Sequence, residues 1–158
     1  VANLTDAFTI GGTKNGILFG EALVVNNSKL KENMRFSIKQ RGALLAKGRL
    51  LGVQFKALFE DDLYFDMARH TNEMAVLLKK GVLELGYKLM TNPSTNLIFT
   101  ILPNEIHEKL SKLCYYEAEH PYDENHMEAR FVTSWATPKE DVLELLRLLK
   151  ELKAEVAR

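Results

Sequence analysis

The chain contains a single cysteine, Cys114. That scarcity excludes a disulfide framework within the chain and any cysteine-based metal site, and it fits a reducing, cytosolic compartment. Charge of one sign is missing too. Twenty-one Lys and Arg residues offset 21 Asp and Glu residues, so no field of one sign draws in nucleic acid or an anionic membrane surface. No apolar run reaches membrane-spanning length, the opening residues carry no signal-peptide pattern, and neither an internal repeat nor a low-complexity segment stands out. What is present is ordinary material for a core, 46% apolar residues in a chain of 158, enough for one domain or part of a larger one. The first residue is Val1 rather than Met, and "VANLTDAFTI" reads as the approach to a strand. A fragment is therefore expected, in which a site built from both halves of a protein is only half visible.

Residues 7–10 and 17–25 are rich in Phe, Ile, Leu and Val and are bounded by Gly and Asn, so two strands are expected to flank the turn "GGTKNG". From Ser28 the pattern becomes helical. After Gly42 the stretch "ALLAKGRLLGVQFKALFEDD" carries Leu44, Leu51, Phe55 and Leu58 at helical spacing, with Gly48 and Gly52 inside it suggesting close packing. "EDDLYFDMARHTNEMAVLLKKGVLEL" predicts a second helix, with acidic residues in its first turn and Gly86 at its end. Short strands are expected at Lys88 to Met90 and Leu97 to Leu102. A helix follows, capped by Asn104 and reaching about Tyr115. "EAEHPYDENHM" reads as a polar loop, "EARFVTSW" as a strand, and Thr137 to Glu140 as a capping box before a last helix. In that helix Val142, Leu145, Leu146, Leu149 and Leu152 share one face, which predicts core packing rather than a zipper. Residues 1–58 and 59–158 are thus expected to form two regions, the second an α+β unit with a small sheet.

A tight hairpin needs Asn-Gly or Gly-Gly, and Asn15-Gly16 already meets that need, which leaves Lys14 surplus to the turn. Three readings of it stand side by side. Lys14 is a solvated side chain on a glycine-rich hairpin; or Gly11, Gly12 and Thr13 offer backbone amides to a phosphate beside it; or its amine is a nucleophile that forms a Schiff base with a carbonyl. The spacing to Lys14 does not match a Walker loop. Arg130 in a strand, and Thr95-Asn96 before one, are ambiguous between surface or turn roles and a ligand role. His70 and His107 fall on helices and His120 and His126 in a loop, with His126 close enough to Arg130 to look into a cleft, and no spacing among them or with the acids makes a metal site.

"DAFTIGGTKNGILFGEALVV", "KQRGALLAKGRLLGVQFKALFEDD" and "ARFVTSWAT", in this order and spacing, resemble the low-specificity threonine aldolases and the related β-eliminating lyases. The resemblance covers the carboxyl-terminal half of such an enzyme. It implies an α/β fold of type I among pyridoxal-phosphate enzymes, like aspartate aminotransferase. Residues 1–58 would then finish the cofactor-binding large domain and residues 59–158 would form the small α+β domain. It implies pyridoxal 5'-phosphate as cofactor, Lys14 as the lysine that carries it, Thr13 near its phosphate, and Lys39 as a phosphate-directed basic residue, with Arg41 two positions away. Arg130 matches the arginine that takes the substrate carboxylate, a role suited to its planar fork. The implied reaction cleaves β-hydroxy-α-amino acids of the threonine and allo-threonine type to glycine and an aldehyde. The alternatives are a β-eliminating lyase on the same fold and a non-catalytic phosphate-binding or assembly module. The implied partners are an amino-acid substrate, an amino-terminal half in the same or a separate chain, and a second copy in a homodimer or homotetramer.

Overall fold

The computed structural model describes residues 1–157, and its contacts divide the chain into two compact units, Val1–Met67 and Ala68–Arg158. In the first unit, strands β1 (Ala7–Ile10) and β2 (Ala22–Val25) pair antiparallel, with Ala7 opposite Val25 and Ile10 opposite Ala22. The second strand is shorter than its apolar run suggests. Residues 17–21 close a wide loop instead, because the Ile17 amide turns back to the Gly12 carbonyl (2.9 Å) and its side chain is buried.

Helices α1 (Ser28–Lys31), α2 (Met34–Gln40) and α3 (Arg49–Phe59) follow. The Asn27 side chain caps α1 through the Lys29 amide at 2.9 Å, and Asn33, in the left-handed region at φ 55°, separates α1 from α2. Residues 43–48 are not helical, so the long helix expected after Gly42 starts only at Arg49. Close packing at its glycines is also not found: Gly48 precedes the helix, and a Cβ on Gly52 would meet nothing within 4 Å. A short 3-10 turn, Glu60–Asp62, takes up the acidic residues expected inside the next helix, because Asp61 and Asp62 hold positive φ and break the helical run. Helix α4 (Leu63–Glu84) then carries the chain into the second unit and stops, as expected, at Gly86.

The second unit holds a four-stranded antiparallel sheet of order β3 (Lys88–Leu89), β4 (Leu97–Pro103), β6 (His126–Val132), β5 (Glu117–Pro121). Helices α5 (Asn104–Leu110) and α6 (Lys139–Val156) complete it. Alternation along the strands sorts the side chains. Ile98, Thr100 and Leu102 of β4 and Ala129 and Phe131 of β6 are buried, in a core shared with Val82 of α4, Ile106 and Leu110 of α5, and Val142, Leu149 and Leu152 of α6. The leucine face of α6 is therefore core, as expected.

Four expectations differ from the structure here. The polar stretch after Tyr116 is not a loop throughout; it holds β5, an edge strand tied to β6 by its backbone ladder, so no apolar alternation announces it. Asn104 does not cap α5, since its side-chain amide donates to the Glu124 carbonyl (3.0 Å) and Pro103 occupies the cap position. That helix also stops at Leu110 rather than near Tyr115. Thr137 forms no capping box, because its hydroxyl instead accepts from the Ser134 amide (2.9 Å).

Within the core the Thr100 hydroxyl is fully buried and has no hydrogen-bond partner among the described residues. An unsatisfied buried polar group costs on the order of 1–3 kcal/mol. Thr100→Val keeps the branched shape and removes the hydroxyl, so urea unfolding is expected to show a gain of about 1 kcal/mol. A loss of stability would show that a water or a rearranged neighbour satisfies the hydroxyl.

Candidate functional site

Lys14 sits in the middle of a one-turn 3-10 helix, Thr13–Asn15, bracketed by Gly12 and Gly16. The Gly12 carbonyl accepts from both the Asn15 amide (2.8 Å) and the Ile17 amide, which ties the turn into a closed knot. Glycine is required at both ends for different reasons. A Cβ at position 12 would lie 2.0 Å from Cγ1 of buried Ile17. Gly16 holds φ at 90°, in the left-handed region that a side chain disfavours. Asn15-Gly16 thus closes a helical turn rather than a hairpin tip.

The wider loop is pinned from the helices of its own unit. The Tyr64 hydroxyl donates to the Gly11 carbonyl at 2.8 Å. The Gln54 side chain accepts from the Leu18 amide (3.0 Å) and donates to the Phe19 carbonyl (3.4 Å). Lys14 and Thr13 are exposed, and the space a Cβ would occupy at Gly11 is open within 4 Å. The Thr13 and Lys14 amides open the turn and have no carbonyl within it to donate to. An accessible primary amine, two available amides and an open glycine flank form a donor set that suits an aldehyde-bearing phosphate ester.

Lys39 lies in the last turn of α2 and Arg41 caps that helix; both are exposed. Among the described residues, no hydrogen bond or ion pair joins either to the Lys14 turn.

Arg130 stands in the second unit on the sheet face opposite the core, between Phe99 of β4 and Glu117 of β5, its cross-strand neighbours. Its guanidinium is engaged by two carboxylates, Glu117 and Glu119, the latter with Nε and Oε1 2.7 Å apart. Those two atoms are buried with no aligned hydrogen bond among the described residues, so charge at close range joins them. Neither glutamate stands out in the sequence: their signal is the E-x-E spacing of "EAEH", inside a polar stretch with no apolar alternation.

The remaining candidates are structural. The Asn96 side chain donates to the Thr133 carbonyl (2.9 Å) and its own carbonyl accepts from the Thr133 amide, clamping the end of β4 to the end of β6. His70 donates from Nε2 to the Thr137 carbonyl (2.8 Å), and His107 pairs with the Tyr116 hydroxyl (2.7 Å). His120 belongs to β5 and His126 opens β6, not the loop expected for them. His126 Nδ1 pairs with Asp123 at 2.8 Å, and that bond holds the Asp123 carboxyl below its usual range. It lines a cleft of about 360 Å³ with Lys88, Tyr122 and Lys153, among others. Among the described residues, no three His, Cys, Asp or Glu side chains could hold a metal ion together, and no helix is long and apolar enough to cross a membrane.

No protein-family model matches the chain. Two curated relatives do: the low specificity L-threonine aldolase of Pseudomonas aeruginosa is 34% identical over 143 residues, which is 90% of this chain and 40% of that protein. The enzyme of the same name from a Pseudomonas species is 33% identical over 141 residues, 89% of this chain and 40% of that protein. The chain therefore spans about two fifths of the length of these relatives. Among solved structures, the threonine aldolase of Leishmania major superposes with a TM-score of 0.92 at 42% identity, covering 96% of this chain and 44% of that one. A serine palmitoyltransferase from Sphingomonas wittichii shares the fold at 16% identity, with a TM-score of 0.72 over 96% of this chain and 40% of that one.

Proposed function

We propose, from the chain's membership of the threonine aldolase family and its correspondence to a carboxyl-terminal part of these proteins, that it supplies half of a pyridoxal-phosphate-dependent carbon–carbon lyase. The enzyme cleaves β-hydroxy-α-amino acids of the threonine type to glycine and an aldehyde. The observation that carries this reading is Lys14 itself, an exposed amine on a glycine-bracketed turn, in a chain that as a whole superposes on a threonine aldolase with a TM-score of 0.92.

Lys14 Nζ would hold the cofactor through its aldehyde, and the turn amides of Thr13 and Lys14 and the Lys39 side chain would be the groups offered to its phosphate. When bound, pyridoxal phosphate supplies a protonated ring that draws electrons from the bond broken at the α-carbon. Arg130 receives the substrate carboxylate in a two-pronged grip, which fixes the bond at the α-carbon that is presented for cleavage. The amino-terminal half completes the site, as the rest of a longer polypeptide or as a separate chain. The exposed apolar surface of the first unit supports such a partner: Leu18 is 83% exposed and Phe36 75%, more than a finished surface needs. A homo-oligomer and a reducing, cytoplasmic setting complete the reading.

The test combines both halves, pyridoxal phosphate and threonine. Glycine and acetaldehyde are expected, and borohydride reduction of the resting enzyme should place the cofactor label on the peptide containing Lys14. Release of ammonia and a keto acid instead would identify a β-eliminating lyase. A label absent from Lys14 would leave the phosphate-binding or assembly reading.

A further inference from the structure

Arg130 is balanced by more negative charge than it carries. One guanidinium faces Glu117, directly across the strand pair, and Glu119, two residues further along the edge strand. Resting on the reading of Arg130 as the carboxylate-binding residue, we propose that Glu117 is a built-in stand-in for the substrate carboxylate, and that Glu119 is the positioning residue holding the guanidinium while the exchange takes place.

The two glutamates differ in the property that decides which can leave. The Glu117 side chain is 48% exposed and that of Glu119 24%, against 31% for Arg130. Glu117 can swing into water at small cost, since a half-exposed ion pair is worth little more than about 1 kcal/mol. Glu119 cannot do so as cheaply, because its Oε1 and the Arg130 Nε are both buried and separating them leaves a buried carboxylate without its counter-charge. They also occupy different parts of the guanidinium. Glu119 sits on Nε and Glu117 on a terminal nitrogen, Nη2. A carboxylate that replaces Glu117 therefore meets the outer end of the fork while the inner nitrogen stays anchored.

The arrangement has a chemical purpose. A third carboxylate brought against Arg130 with both glutamates in place would add to an existing local excess of negative charge. Displacement of Glu117 keeps the charge count constant as substrate enters. Without substrate, Glu117 occupies the terminal nitrogen of Arg130.

The experiment compares two ligands in the holoenzyme with both halves present: threonine, and threonine amide, which lacks the carboxylate. Affinities are read from the change in cofactor absorbance, and the quantity followed is the preference for threonine over the amide. Glu117→Gln is expected to raise that preference about two- to fivefold, the range for losing an exposed competing charge. Glu119→Gln is expected to lower it about tenfold, because the buried charge that fixes the position of the guanidinium is lost and the fork no longer meets the carboxylate squarely, which outweighs the removal of a competing charge. Arg130→Gln should lower it further. A general disturbance of the fold would weaken both ligands together and leave the preference unmoved. If Arg130→Gln lowers the preference while Glu117→Gln leaves it unchanged or reduced, the stand-in is overturned and the role of Arg130 stands. If Arg130→Gln does not move it, the assignment of Arg130 itself falls.

Discussion

Lys14→Ala is expected to cost the assembled enzyme at least about 10²–10⁴-fold in turnover, the range for losing a positioned catalytic side chain, since the amine proposed to hold the cofactor is gone. It should leave folding untouched. Lys14 is exposed, and among the described residues no hydrogen bond or ion pair holds its side chain. The turn around it is maintained by others: the Gly12 carbonyl with its two amides, Tyr64 on Gly11, and Gln54 on Leu18 and Phe19. Removing the amine thus deletes chemistry and spares architecture. Glycine formation from threonine, measured beside a thermal melt, separates the two. Lys14→Arg, which keeps the charge but is not nucleophilic, should be as inactive as the alanine variant. If either variant kept more than a small fraction of the parent activity, another residue would have to carry the cofactor.

The second large effect concerns stability. Leu149→Ala is expected to destabilise the chain by about 2–5 kcal/mol, the range for emptying a filled core position. Leu149 is fully buried at the centre of α6, in the same cluster as Val82, Leu102, Ile106 and Leu110. Its backbone carbonyl also accepts from the Tyr87 hydroxyl (3.0 Å), whose ionisation is pushed up to about 12 by burial, so the bond persists at neutral pH. A domain is typically stable by only about 5–15 kcal/mol, so the loss is a large share of the whole. Leu143→Ala on the same helix supplies the control. That side chain is half exposed and its truncation should stay within about 0.5 kcal/mol. Urea midpoints decide the matter, and equal effects at the two positions would mean that α6 does not bury the face described.

Much of this was legible in the sequence because it rests on local rules. The α6 stripe, the β4 run of apolar residues and the Gly86 stop each carry their cause in a few consecutive residues. The misreadings share a different cause. Strand β5 has no apolar alternation because it is an edge held by its neighbour's backbone, and Ile17, Leu18 and Phe19 are apolar yet spent on closing a loop over Gly12. Asn104 and Thr137 were read as caps from their residue type, but each gives its side chain to a backbone group in the adjoining loop. At the site, Lys14 stood out because its turn did not need it. Glu117 and Glu119 could not stand out, since their meaning depends on a register with Arg130 that only the folded sheet provides.

The pins of the Lys14 loop bear on which residues can vary there. Tyr64 and Gln54 reach backbone atoms of Gly11, Leu18 and Phe19, never their side chains. The identities of residues 18 and 19 are therefore uncoupled from the loop's shape, and both side chains are exposed. What the loop asks of the chain is concentrated elsewhere, in glycines at 12 and 16, an isoleucine-sized side chain at 17, and two polar side chains more than 30 residues downstream. A library that randomised residues 18 and 19 alone would keep the amine in place, whereas one that varied residues 54 and 64 would loosen it from a distance.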